Sequence, residues 1–311
     1  MNFNYSPVFA DPGIEQQFTR DGYVVMPMLD AAEVETLRRL YLEAVPTLPS
    51  DFYSTAFLPD CPERRKMTEG MQAVLEPYIS RVMPGYVMHS RGYISKAGGP
   101  NQGPLRLHQD YSFVDHSKHR AVHLWIPLID VDETNGCLTV IPKTHHLVNH
   151  ISAMIDNPSP YDPVRKILAE ECTLTVPMKA GEAAFFDQRL YHGSAPNTNP
   201  DIRIALAVAL LPKGVKQLLY VVDEDDPSKL NVLQIRDEFT VRFSRGVKVV
   251  PPYGDGIVKV DQISYQAEVL SEEKLDSLRI RRPAVKPVQS AVVAVVPEEK
   301  KGLFSRFFGS R

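Results

Sequence analysis

The sequence predicts an antiparallel β-sandwich or barrel carrying flanking helices. Between about 86 and 211, seven or more short runs rich in β-branched and aromatic residues are separated by Gly, Pro, Asn and Asp, with no helical period between them. Proline is abundant, at 26 residues against 17 glycines, and prolines confined to strand ends and loops suit a β-rich chain. Hydrophobic residues make up 43 % and charged residues 23 % of the 311, a globular balance that can bury a sizeable core.

In chain order, GYVVMP (22–27) is a short apolar run closed by proline and reads as a strand. Residues 30–45 place Val34, Leu37, Tyr41 and Ala44 at helical spacing, and Leu40 widens the stripe. Asp30 and Glu33 form a capping-box start for that helix. A second helix is predicted over 65–83, with Met67, Met71, Val74 and Leu75 on one side and Pro77 placed to kink or divide it. The strand runs follow: YVMHSRGYIS, PLRLHQDYSF, RAVHLWIPLI, GCLTVIP, CTLTVP, EAAFFD and IRIALAVALL. Residues 212–278 mix a strand-like QLLYVV with short helices expected near 228–243 and 271–278.

Several function classes are disfavoured by composition. Lys plus Arg is 35 and Asp plus Glu 38, a net charge of −3, which lacks the basic field of a duplex nucleic-acid binder. Cys61, Cys137 and Cys172 are odd in number and far apart, so neither a disulfide framework nor a cysteine zinc site is expected. No apolar run approaches the roughly 18 residues of a bilayer-spanning helix, and the start of the chain carries no export-signal pattern. The expected setting is a reducing cytoplasm, with a small-molecule substrate and no nucleic-acid partner.

Chemistry concentrates in Leu107-His108-Gln109-Asp110-Tyr111. Residues two apart in a strand share a face, so His108 and Asp110 can offer an imidazole nitrogen and a carboxylate oxygen to one ion. A third donor, His192, lies in FFDQRLYHGSAPN, after an expected strand and before a Gly-Ser turn. Two histidines and one carboxylate on one side of a metal leave the other side open, as in non-haem Fe(II) oxygenases. Beyond it, Arg203 shares a strand face with Ala205, Ala207 and Ala209, which leaves room for a bidentate fork to a carboxylate such as the distal end of 2-oxoglutarate.

These stretches, with FTRDGYVVMPMLDAAEVETLRRLY, HLWIPLIDVDETNGCLTVIPKTHH and KAGEAAFFDQRLYHGSAPNTNPDIRIALAV, resemble the phytanoyl-CoA dioxygenase (PhyH) family of Fe(II)/2-oxoglutarate-dependent oxygenases over roughly 15–212. The resemblance implies a double-stranded β-helix, the cupin-like jelly roll, mainly β with flanking helices. It implies that His108, Asp110 and His192 bind Fe(II), that Arg203 with Ser194 holds 2-oxoglutarate, that Trp125 lies near that carboxylate, and that O2 is consumed. Related halogenases have a small residue at the Asp110 position, so the retained acid implies hydroxylation or a related oxidation and not halogenation; the expected target is an unactivated C–H of a small organic molecule, a secondary metabolite or lipid-like compound. A non-catalytic metal-binding jelly roll and a cupin-type metalloenzyme are the alternatives.

Other features take plainer readings. His145, His146 and His150 lack a general-base glutamate between them and read as a solvated loop. His89, His116, His119 and His123 show no partner pattern. Asp132-Glu133-Thr134-Asn135-Gly136 lacks calcium-loop spacing and reads as a turn. Tyr111 and Phe113 line either the substrate entrance or the core. The dioxygenase unit is expected over 1–280, with 213–280 an extension of its core, followed by a Pro/Val-rich linker and basic tail over 281–311. That tail carries seven Lys or Arg against Glu298 and Glu299; disorder is the leading reading and weak membrane or protein docking the alternative.

Overall fold

Two aspartates start the first two helices of the computed structural model, which describes residues 5–58, 61–147, 151–154, 159–235 and 257–276. Asp11 accepts from the Gly13 and Ile14 amides at 2.8 and 2.9 Å and opens α1 (Pro12–Asp21), with Pro12 in the first turn, where it costs no hydrogen bond. After β1 (Tyr23–Pro27), α2 (Ala31–Ala44) begins with the predicted capping box: the Glu33 amide donates to Asp30 at 2.8 Å and the Asp30 amide to Glu33 at 3.0 Å. β2 (Phe52–Ser54) precedes α3 (Pro62–Val82), which runs unbroken through Pro77. Pro77 and Ala73, four residues back, are both exposed, so the carbonyl that loses its helical donor faces water.

The strand region then unfolds as β3 (Tyr86–Lys96), β4 (Leu105–His108), β5 (Val122–Pro127), β6 (Leu138–Val140), β7 (Leu174–Val176), β8 (Glu182–Asp187), β9 (His192–Ser194) and β10 (Arg203–Pro212). A six-stranded antiparallel sheet has the order β1-β8-β5-β10-β3-β2, and a four-stranded sheet the order β4-β9-β6-β7. One core joins them: Trp125, Ala184, Phe186 and Ala205 of the larger sheet pack with Leu138, Val140 and Val176 of the smaller. On its other face, Ile204, Leu206, Val208 and Leu210 of β10 pack with Leu37 and Tyr41 of α2 and Met71 and Leu75 of α3. The alternation in β10 therefore divides as the sequence indicates, alanines toward the sandwich interior and large aliphatics toward the helices. The architecture is the jelly roll with flanking helices.

Beyond it, β11 (Gln217–Val222), β12 (Lys229–Ile235) and β13 (Ile257–Ser264) form a separate three-stranded sheet. Strand β12 stands where a short helix was expected; pairing to β11 on one side and β13 on the other overrides its weak helical propensity. A single helical turn, Glu272–Leu275, follows. The basic tail, residues 281–311, lies outside the described residues, as does His150. Among the described residues, no helix is long and apolar enough to cross a membrane, and the three cysteines are free thiols.

Candidate active site

Strand pairing assembles the donors. β4 and β9 run antiparallel with His108 directly opposite His192, a register that brings side chains on one face together. Gly193 permits it: a Cβ there would meet the Leu105 carbonyl at 2.6 Å and push the strands apart. His192 follows β8 as expected but opens β9, in which Gly193-Ser194 continue the strand instead of turning, and Asp110 lies in the loop beyond the end of β4 rather than on it.

Donor atoms of His108, Asp110 and His192 nevertheless all lie within 4.8 Å of one another. His108 Nδ1 donates to the Arg106 carbonyl at 2.8 Å and His192 Nδ1 to the Leu190 carbonyl at 2.9 Å. Both Nε2 lone pairs are thereby turned to the Asp110 carboxylate, each 3.6 Å from one of its oxygens. A backbone acceptor on the remote imidazole nitrogen is how ligating histidines are oriented. Burial, then the neighbouring His108, pulls His192 down to about 4 and keeps it neutral. Burial alone would raise the Asp110 carboxyl, but His123, His192 and His108 together hold it well below the usual carboxylate range. Two imidazole nitrogens and an anionic oxygen suit a divalent transition metal.

The opposite end of the same cavity, about 240 Å³, is cationic. Arg203 is 1 % exposed, its Nε and Nη1 atoms have no hydrogen-bond partner, and its guanidinium carbon sits 5.6 Å from the Trp125 ring centroid. Burial pulls its guanidinium down to about 10, so it is charged at neutral pH. Unpartnered donors of a buried guanidinium are costly unless an anion meets them. Opposite Arg203 in the β10–β3 register stands Lys96, whose Nζ donates to Ser194 Oγ at 2.9 Å and to the Ala195 carbonyl at 2.7 Å. Burial, then Arg203, pushes Lys96 down to about 8. Lys96 escaped the sequence reading because a lysine at a strand end resembles any surface lysine, and only the register with Arg203 reveals it. The donor set fits a metal at one end and a dicarboxylate reaching from it to Arg203.

Two further placements differ from expectation. His123, on β5, faces the cavity and lies 3.3 Å from Asp110. His145 is buried, not solvated, with its Nε2 against the Thr19 carbonyl at 3.1 Å, while neighbouring His146 is exposed. The Asp110 loop leans on the added sheet: the Leu218 amide of β11 donates to the Phe113 carbonyl at 2.8 Å. Phe113 lines the cavity, and Tyr111 is 39 % exposed. As the Asn-Gly pair suggests, Asp132–Gly136 forms a turn, with Gly136 at φ +88° against Arg203 and Lys96.

A buried ion cluster fixes the turn leading into His192. Asp187, fully buried, accepts from Arg189 Nε and Nη2 at 2.9 and 2.8 Å and lies 3.5 Å from Arg120, which reaches Glu15 of α1 at 3.1 Å. Burial would raise the Asp187 carboxyl, yet Arg189 holds it far below its ordinary value. Asp187→Ala strands the buried Arg189 and leaves Arg120 with Glu15 alone, and is expected to cost about 3–5 kcal/mol, read as a lowered urea midpoint; a midpoint within error of the parent protein refutes it.

A jelly roll whose cavity pairs a two-histidine, one-carboxylate face with a buried arginine fork defines the class of non-haem Fe(II)/2-oxoglutarate-dependent oxygenases. Residues 18–205 match the family model for phytanoyl-CoA dioxygenase (PhyH). The chain belongs to that family. It is 29 % identical over 126 residues to phytanoyl-CoA dioxygenase 1 of Oryza sativa subsp. japonica, covering 38 % of this chain and 42 % of that protein. To the peroxisomal phytanoyl-CoA dioxygenase of Rattus norvegicus it is 30 % identical over 112 residues, covering 32 % of this chain and 31 % of the relative. The chain thus spans less than half the length of either relative. Similar solved structures include SnoK, a non-haem alpha-ketoglutarate-dependent carbocyclase of nogalamycin biosynthesis, at TM-score 0.51 and 18 % identity over 68 % of this chain and 89 % of that one. The epimerase SnoN of the same biosynthesis aligns at TM-score 0.50 and 18 % identity, over 82 % and 95 % respectively. At these identities the likeness is one of fold.

Proposed function

We propose that the chain is an Fe(II)- and 2-oxoglutarate-dependent dioxygenase that hydroxylates an unactivated C–H of a small organic molecule, a secondary metabolite or lipid-like compound. The observation that carries the reading is the buried, unpartnered Arg203 fork in the same cavity as the His108, Asp110 and His192 donors. A metal kept only for stability would not need that fork, and an uncompensated buried cation works against folding.

In this reading His108, Asp110 and His192 hold Fe(II), and Arg203, Ser194 and Lys96 receive the distal carboxylate of 2-oxoglutarate beside Trp125. Bound there, iron and 2-oxoglutarate supply the oxidising chemistry: O2 is consumed, succinate and CO2 are released, and one oxygen atom is delivered to the substrate. The chain's residues do the positioning. Arg203 is a planar fork anchored between Trp125 and the sheet, so it fixes one end of the cosubstrate and with it the distance to the metal. The His108 and His192 imidazoles and the ionised Asp110 would hold the ion. Phe113 and Phe186 add apolar walls to the cavity.

The test is anaerobic addition of Fe(II) and 2-oxoglutarate to the full-length protein. A visible charge-transfer band is expected, with slow uncoupled succinate formation once air is admitted. No band and no succinate overturn the reading. Compounds from metabolite extracts that raise succinate above this background identify the substrate class, and a product heavier by one oxygen atom separates hydroxylation from ring closure or epimerisation.

A further inference from the structure

We propose that His123 is a positioning residue: locked by Gln188 as the tautomer with its proton on Nδ1, it donates to Asp110 and fixes the plane of that carboxylate. The inference rests on the reading of Asp110 as a metal ligand, and on two hydrogen bonds, Phe113 to Gln188 and Gln188 to His123, whose direction is settled from one end. The Phe113 amide can only donate, and it meets Gln188 Oε1 at 3.1 Å. The other branch of the Gln188 amide, Nε2, is therefore the one 3.1 Å from His123 Nε2, and it too can only donate. His123 Nε2 must accept, so the ring proton sits on Nδ1, which faces Asp110 Oδ2 at 3.3 Å. That carboxylate can only accept, and we read the 3.3 Å contact, an ion-pair distance, as a hydrogen bond donated to it.

The surroundings hold each link in place. Gln188 is fully buried, and its backbone amide donates to the Ala121 carbonyl at 3.0 Å, tying it to the residue that precedes β5. The His123 ring is stacked between Phe113 and Phe186, with centroids 6.3 and 5.6 Å away and interplanar angles of 25° and 26°. On β5 it stands opposite Ala209 of β10, whose small side chain leaves the ring its space. Asp110 needs such a support more than its partners do. His108 and His192 are held by strands and by backbone carbonyls, whereas Asp110 stands in the loop after β4. A loop carboxylate with two free torsions has many orientations, and a fixed donor removes most of them.

Three variants test this through Co(II) binding, followed by the visible ligand-field bands of the full-length protein without cosubstrate. His123→Phe keeps the stacking and removes the donor; its Co(II) affinity is expected to fall by about 10–100-fold, the usual effect of losing an outer partner of a ligand, with altered band intensities. His123→Asn returns an amide donor near the Nδ1 position and is expected to recover most of that loss, which a merely structural role would not predict. Gln188→Met removes the tautomer lock from outside the cavity and is expected to weaken Co(II) as well, which keeps the proposal open to refutation if His123→Phe does not fold. His123→Phe with parental affinity and unchanged bands overturns the proposal, as does an effect confined to the KM for substrate, which would make His123 a substrate contact. Failure of the parent protein itself to bind Co(II) overturns the underlying metal assignment instead.

Discussion

Asp110→Ala is expected to bring turnover below detection and to weaken Co(II) or Fe(II) binding by more than the roughly 10–100-fold caused by losing an outer partner. Among the described residues lining the cavity, Asp110 is the one carboxylate. Its removal leaves a divalent ion facing two neutral imidazoles in a partly buried setting, where an uncompensated charge costs several kcal/mol. The fold should survive, because Asp110 is half-exposed and sits in a loop rather than in a packed strand. Its anionic form also raises the neighbouring His108 above the ordinary imidazole value against the effect of burial. The measurement pairs a Co(II) titration with urea unfolding. An unchanged urea midpoint with lost metal binding is the expected combination, and retained turnover would remove Asp110 from the site.

The parts of this site that were legible in the sequence are those carried by spacing along one strand or by a motif. His108 and Asp110 stand two apart, His192 opens a Gly-Ser pair, and Arg203 heads an alternating strand whose alanine face could be read directly. Even here local detail shifted: Asp110 proved to lie beyond the strand, and the proximity comes from the β4–β9 pairing. Residues whose roles depend on partners distant in the chain were not legible. Lys96 acquires meaning only opposite Arg203, more than a hundred residues on, and His123 only through Gln188 and Asp110. His145 looked solvated because its neighbours are polar, yet the chain packs it against the Thr19 carbonyl of α1, and burial pulls it down to about 3. The same rule explains the misread β12. A strand that obtains its stability from two neighbours carries little of that information within its own seven residues.

Arg203→Ala is expected to raise the 2-oxoglutarate requirement by about two orders of magnitude while leaving Co(II) affinity unchanged. Each charge-assisted hydrogen bond is worth about 1.5–3 kcal/mol, a fork supplies two, and each factor of ten corresponds to about 1.4 kcal/mol. Lys96 recovers part of the deficit, since its ammonium already lies beside Ser194 at the same end of the cavity. This second cation gives the cosubstrate dependence a pH signature whose sign can be worked out. Burial and the Arg203 charge push free Lys96 down to about 8, so below that pH it is an ammonium whose charge, held against Ser194, Ala195 and Gly103, favours a carboxylate beside it. As pH rises through about 8 the free protein loses this proton, and binding a dicarboxylate must take it back. The KM for 2-oxoglutarate is therefore expected to climb with pH above about 8 in the parent protein. In Arg203→Ala one of the two causes of the depression is gone, so the break should move to higher pH, toward the ordinary lysine value. Lys96→Met should abolish the climb and leave a flat, weaker dependence set by Arg203 alone. A parent profile that stays flat across this range, or an Arg203→Ala variant with parental cosubstrate demand, would show that the distal carboxylate is anchored elsewhere.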